Sequence, residues 1–271
     1  MTLRRKISVW LVALVMLFVV IPFTGIYFAQ GAFVFPVPEG ENPRAAVAGF
    51  EPLSLTTPDG ETLRTFYHPP AEEGAASILV FHGNAETAAA AIPRGGSLVA
   101  AGFGVLLVEY RGYGGSTGTP SEAGLITDGL TAYDYLRAQG NAPIGILAFS
   151  LGTGAALPVA AAREPFAVVL ESPPTSLLDI ARYRVGWVPF DFLMKYPFHN
   201  DRVIAEVDAP ILIIHGDNDL VIPVEQGRRL ATLAGPGSAY IEIKGAGHNN
   251  LAQYGTTAMA LSFFRKSLAA E

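Results

Sequence analysis

The sequence predicts an α/β fold: a mostly parallel central sheet with helices on both faces and a small lid, preceded by one N-terminal transmembrane helix. Two patterns carry that expectation. Short apolar runs alternate with segments of helical length over most of the chain, as strands buried on both faces and their crossover helices require. Ahead of them, residues 7–38 contain no charged side chain, and Arg4, Arg5 and Lys6 precede this stretch.

Read as a helix, residues 7–29 span roughly 34 Å at about 1.5 Å per residue, enough for a hydrocarbon core of about 30 Å. A cleaved signal peptide shares the basic start and apolar middle, with Ala29 and Gly31 as a small-residue cleavage site. Its apolar region, however, is only ~7–15 residues long. Residues 1–36 are therefore expected to be a membrane anchor, with secretion after signal cleavage as the alternative. The basic cluster before the span, with Glu39 and Glu41 after it, puts the N-terminus in the cytoplasm and the body on the opposite side.

Residues 37–49, rich in Pro, Gly and Ala with mixed charge, read as a linker, and one folded domain is expected over residues 50–271. Residues 53–57 and 63–68 suit an antiparallel edge pair turning at Asp59-Gly60, two residues that tolerate positive φ. The apolar runs at 78–81, 105–108, 144–149, 168–170, 211–214 and 239–243 read as the remaining strands. Helices are expected at 86–101, 121–139 and 151–162, with a last one ending near Leu268. At about 173–209 the rhythm breaks into prolines and aromatics (Tyr183, Trp187, Phe190, Phe192, Tyr196, Phe198), which read either as a lid over the strand ends or as core packing.

Composition excludes several functions. A formal charge of -6 without a Lys/Arg run in the body leaves nothing to neutralise a phosphate backbone, so no nucleic-acid partner is expected. With no cysteine, disulfides, thiolate metal sites and cysteine nucleophiles are ruled out. The five histidines lack the short paired spacing of a zinc site, and neither a metal nor a cofactor is expected.

Four motifs carry chemistry. Residues 144–149 run straight into Ser150-Leu151-Gly152 and a helix. Ala148 and Gly152, two before and two after the serine, are small enough for strand and helix to approach around a strained nucleophile turn. An ordinary helix N-cap serine explains the helix start but not those small neighbours. His82-Gly83-Asn84 ends an earlier strand, and the backbone N–H groups of Asn84 and Leu151 are candidate oxyanion-hole donors. After the strand at 211–214, Asp219 is the candidate acid that orients the base; Asp217 and Glu171 are its rivals. His248, in Gly245-Ala246-Gly247-His248 after the last strand, is the candidate base. The order Ser150, Asp219, His248 along the chain distinguishes this arrangement from the chymotrypsin and subtilisin orders.

Together these motifs resemble the alpha/beta-hydrolase superfamily from about Phe50 to the C-terminus. The run from Tyr110-Arg111-Gly112-Tyr113-Gly114-Gly115-Ser116 to Glu122 resembles the branch of serine aminopeptidase-like hydrolases and membrane-associated depalmitoylases. The common pattern has glycine where this chain has Ala148. The resemblance implies a catalytic triad of Ser150, Asp219 and His248 but not a substrate. The leading expectation is a membrane-anchored serine hydrolase that cleaves an ester or thioester through an acyl-enzyme on Ser150. The lid aromatics and the anchor favour an acyl chain, with a lipid as a candidate substrate. A serine aminopeptidase is the enzymatic alternative, with Asp179, Asp191 and Asp201 as candidate holders of a substrate ammonium. A membrane-tethered binding module of the same fold is the non-enzymatic one. Every candidate catalytic group lies beyond Val37, so chemistry and tethering are expected to be separable.

Overall fold

The computed structural model describes residues 3–40, 42–140, 142–186 and 190–270. The N-terminal segment is helical from residue 3 to residue 34, as α1 (Leu3–Val15), a π-helical turn at Met16–Val20 and α2 (Ile21–Val34). The wide turn lies just ahead of Pro22, whose ring removes one N–H and crowds the carbonyl four residues earlier. Its Trp10–Val34 part is long and apolar enough to cross a membrane. It runs five residues past the Ala29 end expected from sequence, because nothing between Gln30 and Val34 breaks a helix.

Eight strands form one sheet: β1 (Glu51–Thr56), β2 (Thr62–His68), β3 (Ser77–Phe81), β4 (Gly104–Val108), β5 (Ile144–Phe149), β6 (Val168–Glu171), β7 (Ile211–Gly216) and β8 (Ala239–Ile243). Their order is β1-β2-β4-β3-β5-β6-β7-β8. β1 and β2 pair antiparallel at one edge, with Gly60 at positive φ in the turn between them. From β4 to β8 every pairing is parallel. β3 to β7 are buried along their whole length, which is why their sequences lack alternation.

The covering helices are α3 (Ile92–Ala100), α4 (Glu122–Ala138), α5 (Gly152–Arg163), α6 (Leu177–Arg184), α7 (Phe190–Leu193), α8 (Asn200–Val203), α9 (Val224–Leu233) and α10 (Thr256–Leu268). Apolar clusters form on both sides of the sheet, one centred on Leu79, Phe81 and Ile146, the other on Ile78, Val80 and Leu147. Helix α4 begins where Ser121 caps the Gly124 N–H. The helix expected at 86–101 starts only at Ile92, after a 3₁₀ turn. Polar ties hold the preceding loop: the Glu86 carboxylate accepts the Gly83 N–H, and Glu109 accepts that of Ala88.

The aromatic interval splits. Tyr196 and Phe198 are core residues, whereas Tyr183 and Phe192 are exposed. Trp187 and the side chain of Phe190 lie outside the described residues, as does Glu41. Within the segment expected as a linker, Asn42 is buried. Its N–H donates to Gly114 O and its Nδ2 to Arg64 O and the Glu109 carboxylate.

Candidate active site

The C-terminal ends of β3, β5, β7 and β8 gather the residues singled out by their motifs. Ser150 follows β5 directly and adopts φ +51°, a left-handed conformation uncommon for a side-chain-bearing residue. Its N–H donates to Glu171 O at 2.9 Å, and its carbonyl accepts from Thr153, which fixes the turn into α5. A Cβ at Gly152 would approach the His82 carbonyl to 2.5 Å, so this position has no room for a side chain. Ala148 is fully buried between neighbouring strands, and its extra methyl is accommodated without displacing the serine from the site.

The Ser150 hydroxyl lies 2.9 Å from His248 Nε2, and His248 Nδ1 lies 2.7 Å from Asp219 Oδ2. The other Asp219 oxygen accepts the N–H groups of Val221 and Ile222, each at 2.8 Å. His215 Nε2 sits 3.4 Å from Oδ2 and 3.0 Å from the Ile222 carbonyl. Burial works to raise the Asp219 pKa, but the bonds from His215, His248 and Ile222 outweigh it and hold the carboxyl well below the usual carboxylate range. Asp217 instead accepts the Gly245 N–H at 2.6 Å from an exposed position. Glu171 is buried, bonded to Thr256 Oγ1 at 2.9 Å and 3.5 Å from Arg94; burial raises its pKa against the pull of Arg94.

Asn84 and Leu151 border the same cavity as Ser150 and His248. Among the described residues, neither of their backbone N–H groups donates to a protein acceptor. Beneath this turn lies a network the motifs did not reveal. His82 Nε2 is 3.0 Å from Glu109 Oε1, its Nδ1 is 2.8 Å from Gly83 O, and its own carbonyl accepts from Tyr110 Oη at 2.9 Å. Glu109 also accepts from Asn42, Ala88 and Tyr110. A Cβ at Gly114, which has φ +53°, would collide with Glu109 and Asn42, so the glycine-rich run packs against this buried carboxylate. Glu109→Ala would leave these donors buried without an acceptor and is expected to destabilise the fold by about 3–5 kcal/mol. Urea unfolding of the detergent-solubilised full chain checks this.

The cavity at Ser150 encloses ≈ 440 Å³ and has an apolar wall that includes Leu177, Ile180, Ala181 and Met194. Phe33 and Val34, from the end of the N-terminal helix, complete that wall. The catalytic groups themselves all lie beyond Val37, so the helix end contributes cavity wall and not chemistry. A second cavity of ≈ 450 Å³ shares Glu86, Phe149, His248 and Asn249 with the first and is lined beyond them by Arg94, Ser97 and Glu171. Among the described residues, no cluster of three or more His, Cys, Asp or Glu side chains is placed to hold a metal ion.

A family model described as serine aminopeptidase, S33 matches residues 72–189. The chain is 32% identical over 256 residues to an uncharacterized protein of Mycobacterium tuberculosis, covering 92% of this chain and 91% of that protein. It is 35% identical over 199 residues to the lysophosphatidylserine lipase ABHD12 of Mus musculus, covering 62% of this chain and 48% of the lipase. Thus the match spans about half the length of that lipase. Among solved structures, an esterase from Pyrococcus furiosus superposes with a TM-score of 0.68 at 19% identity, over 85% of this chain and 98% of that one. Est1E from Butyrivibrio proteoclasticus, bound to ferulic acid, gives 0.67 at 19% identity over 80% of this chain and 99% of its own.

Proposed function

Because the chain belongs to the alpha/beta-hydrolase family and is a serine hydrolase, we propose that it is a membrane-anchored esterase that cleaves a carboxylic ester or thioester of a single-chain lipid. The observation that carries this reading is the junction at His248 of two cavities, one with an apolar wall beside Ser150 and one that runs on to Arg94, Ser97 and Glu171. An acyl chain suits the first and a polar leaving group the second. The lysophosphatidylserine lipases among the relatives support the same substrate class.

In this mechanism His248 Nε2 takes the Ser150 hydroxyl proton as Oγ attacks the acyl carbon. Asp219 holds the ring through Nδ1–H and stabilises the imidazolium, and the N–H groups of Leu151 and Asn84 receive the oxyanion. His248 then protonates the leaving group, and water repeats the attack on the acyl-enzyme. The peptidase reading is less well supported. Asp179 and Asp191 pair with Arg182, and Asp201 lies 3.5 Å from Arg229, so each of these carboxylates already faces an arginine.

We place the anchor over residues 1–36, the connecting segment over 37–49 and the hydrolase domain over 50–271, with the lid at about 173–209. The N-terminus is cytoplasmic and the domain lies across the membrane. Signal cleavage after Gly31 would remove the helix that carries Phe33 and Val34, together with Gln30, which favours a retained helix. A panel of acyl esters, thioesters and aminoacyl amides tests the reading. Ester or thioester turnover without amide turnover is expected, and preference for the amides would make the enzyme a peptidase.

The pH dependence follows from the charge state of the site. Asp219 remains ionised far below its ordinary range, so its protonation adds no second proton to the loss of activity as pH falls. The acid limb of log kcat/KM against pH is expected to have unit slope. A slope of two would show the carboxylate titrating in the same range.

A further inference from the structure

The N-terminal helix does not end as a free tether. Gln30, 8% exposed, uses both ends of its side-chain amide on the lid: Nε2 donates to the Leu193 carbonyl at 2.5 Å, and Oε1 accepts the Lys195 N–H at 2.8 Å. Further along, Phe35, 4% exposed, stands edge-on to Tyr196 and Phe198, with ring centroids 5.0 and 6.1 Å away. Between these two fixings lie Phe33 and Val34, the part of the helix that walls the cavity beside Ser150. A carboxamide in an apolar helix is unfavourable in hydrocarbon unless its donor and acceptor are both satisfied. Here lid backbone satisfies both, so separating lid from helix would strand polar groups on each.

The position of Gln30 fixes where this joint lies. Counted from Ile7, where the uncharged stretch begins, it is about 35 Å along the helix at ~1.5 Å per residue, just past a hydrocarbon core of about 30 Å. Whatever docks on the last turn of the helix therefore lies at the membrane surface. There the lid carries Phe192, 89% exposed, with Tyr183 and Val185 also exposed, and the loop after Asp219 adds Leu220 and Val221. On the helix Phe28 and Phe33 are likewise exposed, and Val221 borders the same cavity as Phe33.

Building on the anchored-esterase reading, we propose that Gln30 clasps the lid to the membrane helix. The lid face carrying Phe192 rests in the bilayer surface, and the acyl chain reaches Ser150 from the bilayer past Phe33 and Val34. Gln30 is a positioning residue: it touches neither substrate nor the reacting atoms.

Two measurements on the full chain in phosphatidylcholine vesicles test this. Because the chain has no cysteine, Phe192→Cys accepts a single nitroxide, as does Glu72→Cys just before β3, at the opposite end of the parallel strands. At position 192 oxygen is expected to relax the label more than a water-soluble nickel chelate does, and at position 72 the reverse. Equal nickel access at both positions would overturn the bilayer contact. For Gln30→Leu, kcat/KM on a long-chain monoacyl ester embedded in the vesicle is expected to fall at least about tenfold. Butyrate ester turnover and fluorophosphonate labelling should stay within about twofold of wild type. Unchanged rates on both substrates, or an equal fall on both, would overturn the clasp. Failure of the wild-type chain to take the fluorophosphonate would defeat the esterase reading instead, and the nitroxide result would still decide where the lid lies.

Discussion

Ser150→Ala in the full chain is expected to lower kcat on a short-chain ester by roughly 10⁶-fold while the protein stays folded. The hydroxyl lost is the attacking atom, and His248 alone has no nucleophile 2.9 Å from Nε2 to activate. Folding should survive because the backbone bonds that hold the turn, from Ser150 N–H to Glu171 O and from Thr153 to the Ser150 carbonyl, do not involve the hydroxyl. The remaining oxyanion donors and binding surfaces should leave a residual rate about 10³–10⁴-fold above that of water. Turnover measured beside the thermal unfolding midpoint checks both halves; near-wild-type activity would assign the nucleophile elsewhere.

Asp219→Asn is expected to lower kcat by about 10⁴-fold, whereas Asp217→Asn should change it less than about tenfold. The Asp219 carboxylate accepts on both oxygens, from Val221 and Ile222 on one and from His248 on the other. An asparagine must turn its NH₂ toward one of those donors. If it keeps the backbone bonds, it faces Nδ1 with a donor and favours the tautomer that protonates Nε2, so the base no longer accepts from serine. Asp217 only braces Gly245 from an exposed position, and an amide oxygen serves as well there. Paired steady-state kinetics on the two variants decides the matter, and a reversal of the two effects would make Asp217 the orienting acid.

What was legible in the sequence is what local chemistry writes in adjacent residues. The small residues around Ser150, the His-Gly-Asn turn and the glycines before His248 are short-range steric requirements, visible without a fold. The buried strands were equally plain, because burial on both faces leaves an uninterrupted apolar run. Contacts between distant segments were not. The segment at 37–49 has a linker's composition, yet Asn42 reaches a buried carboxylate 67 residues away, and nothing near either residue announces the pairing. His215 ends a strand as any apolar residue would, and its role beside Asp219 emerges only when the loop folds back on it. The sequence predicts too early a start for α3 because alanines at 88–91 favour helix, while Glu86 and Glu109 hold the adjoining backbone in a loop. Gln30 is legible only as the one side-chain amide in an apolar span. Its partners at Leu193 and Lys195 lie more than 160 residues on, in a segment whose aromatics fitted core and lid equally well.

Active-site titration tests the central assignment most directly. The full chain in detergent would be reacted with a fluorophosphonate, and the modified residue located by peptide mass spectrometry alongside residual ester turnover. One equivalent of label on Ser150, loss of turnover in proportion to labelling, and no labelling of Ser150→Ala are predicted. Label on another residue, or full labelling with turnover intact, would contradict the assignment of Ser150, His248 and Asp219 as the catalytic array.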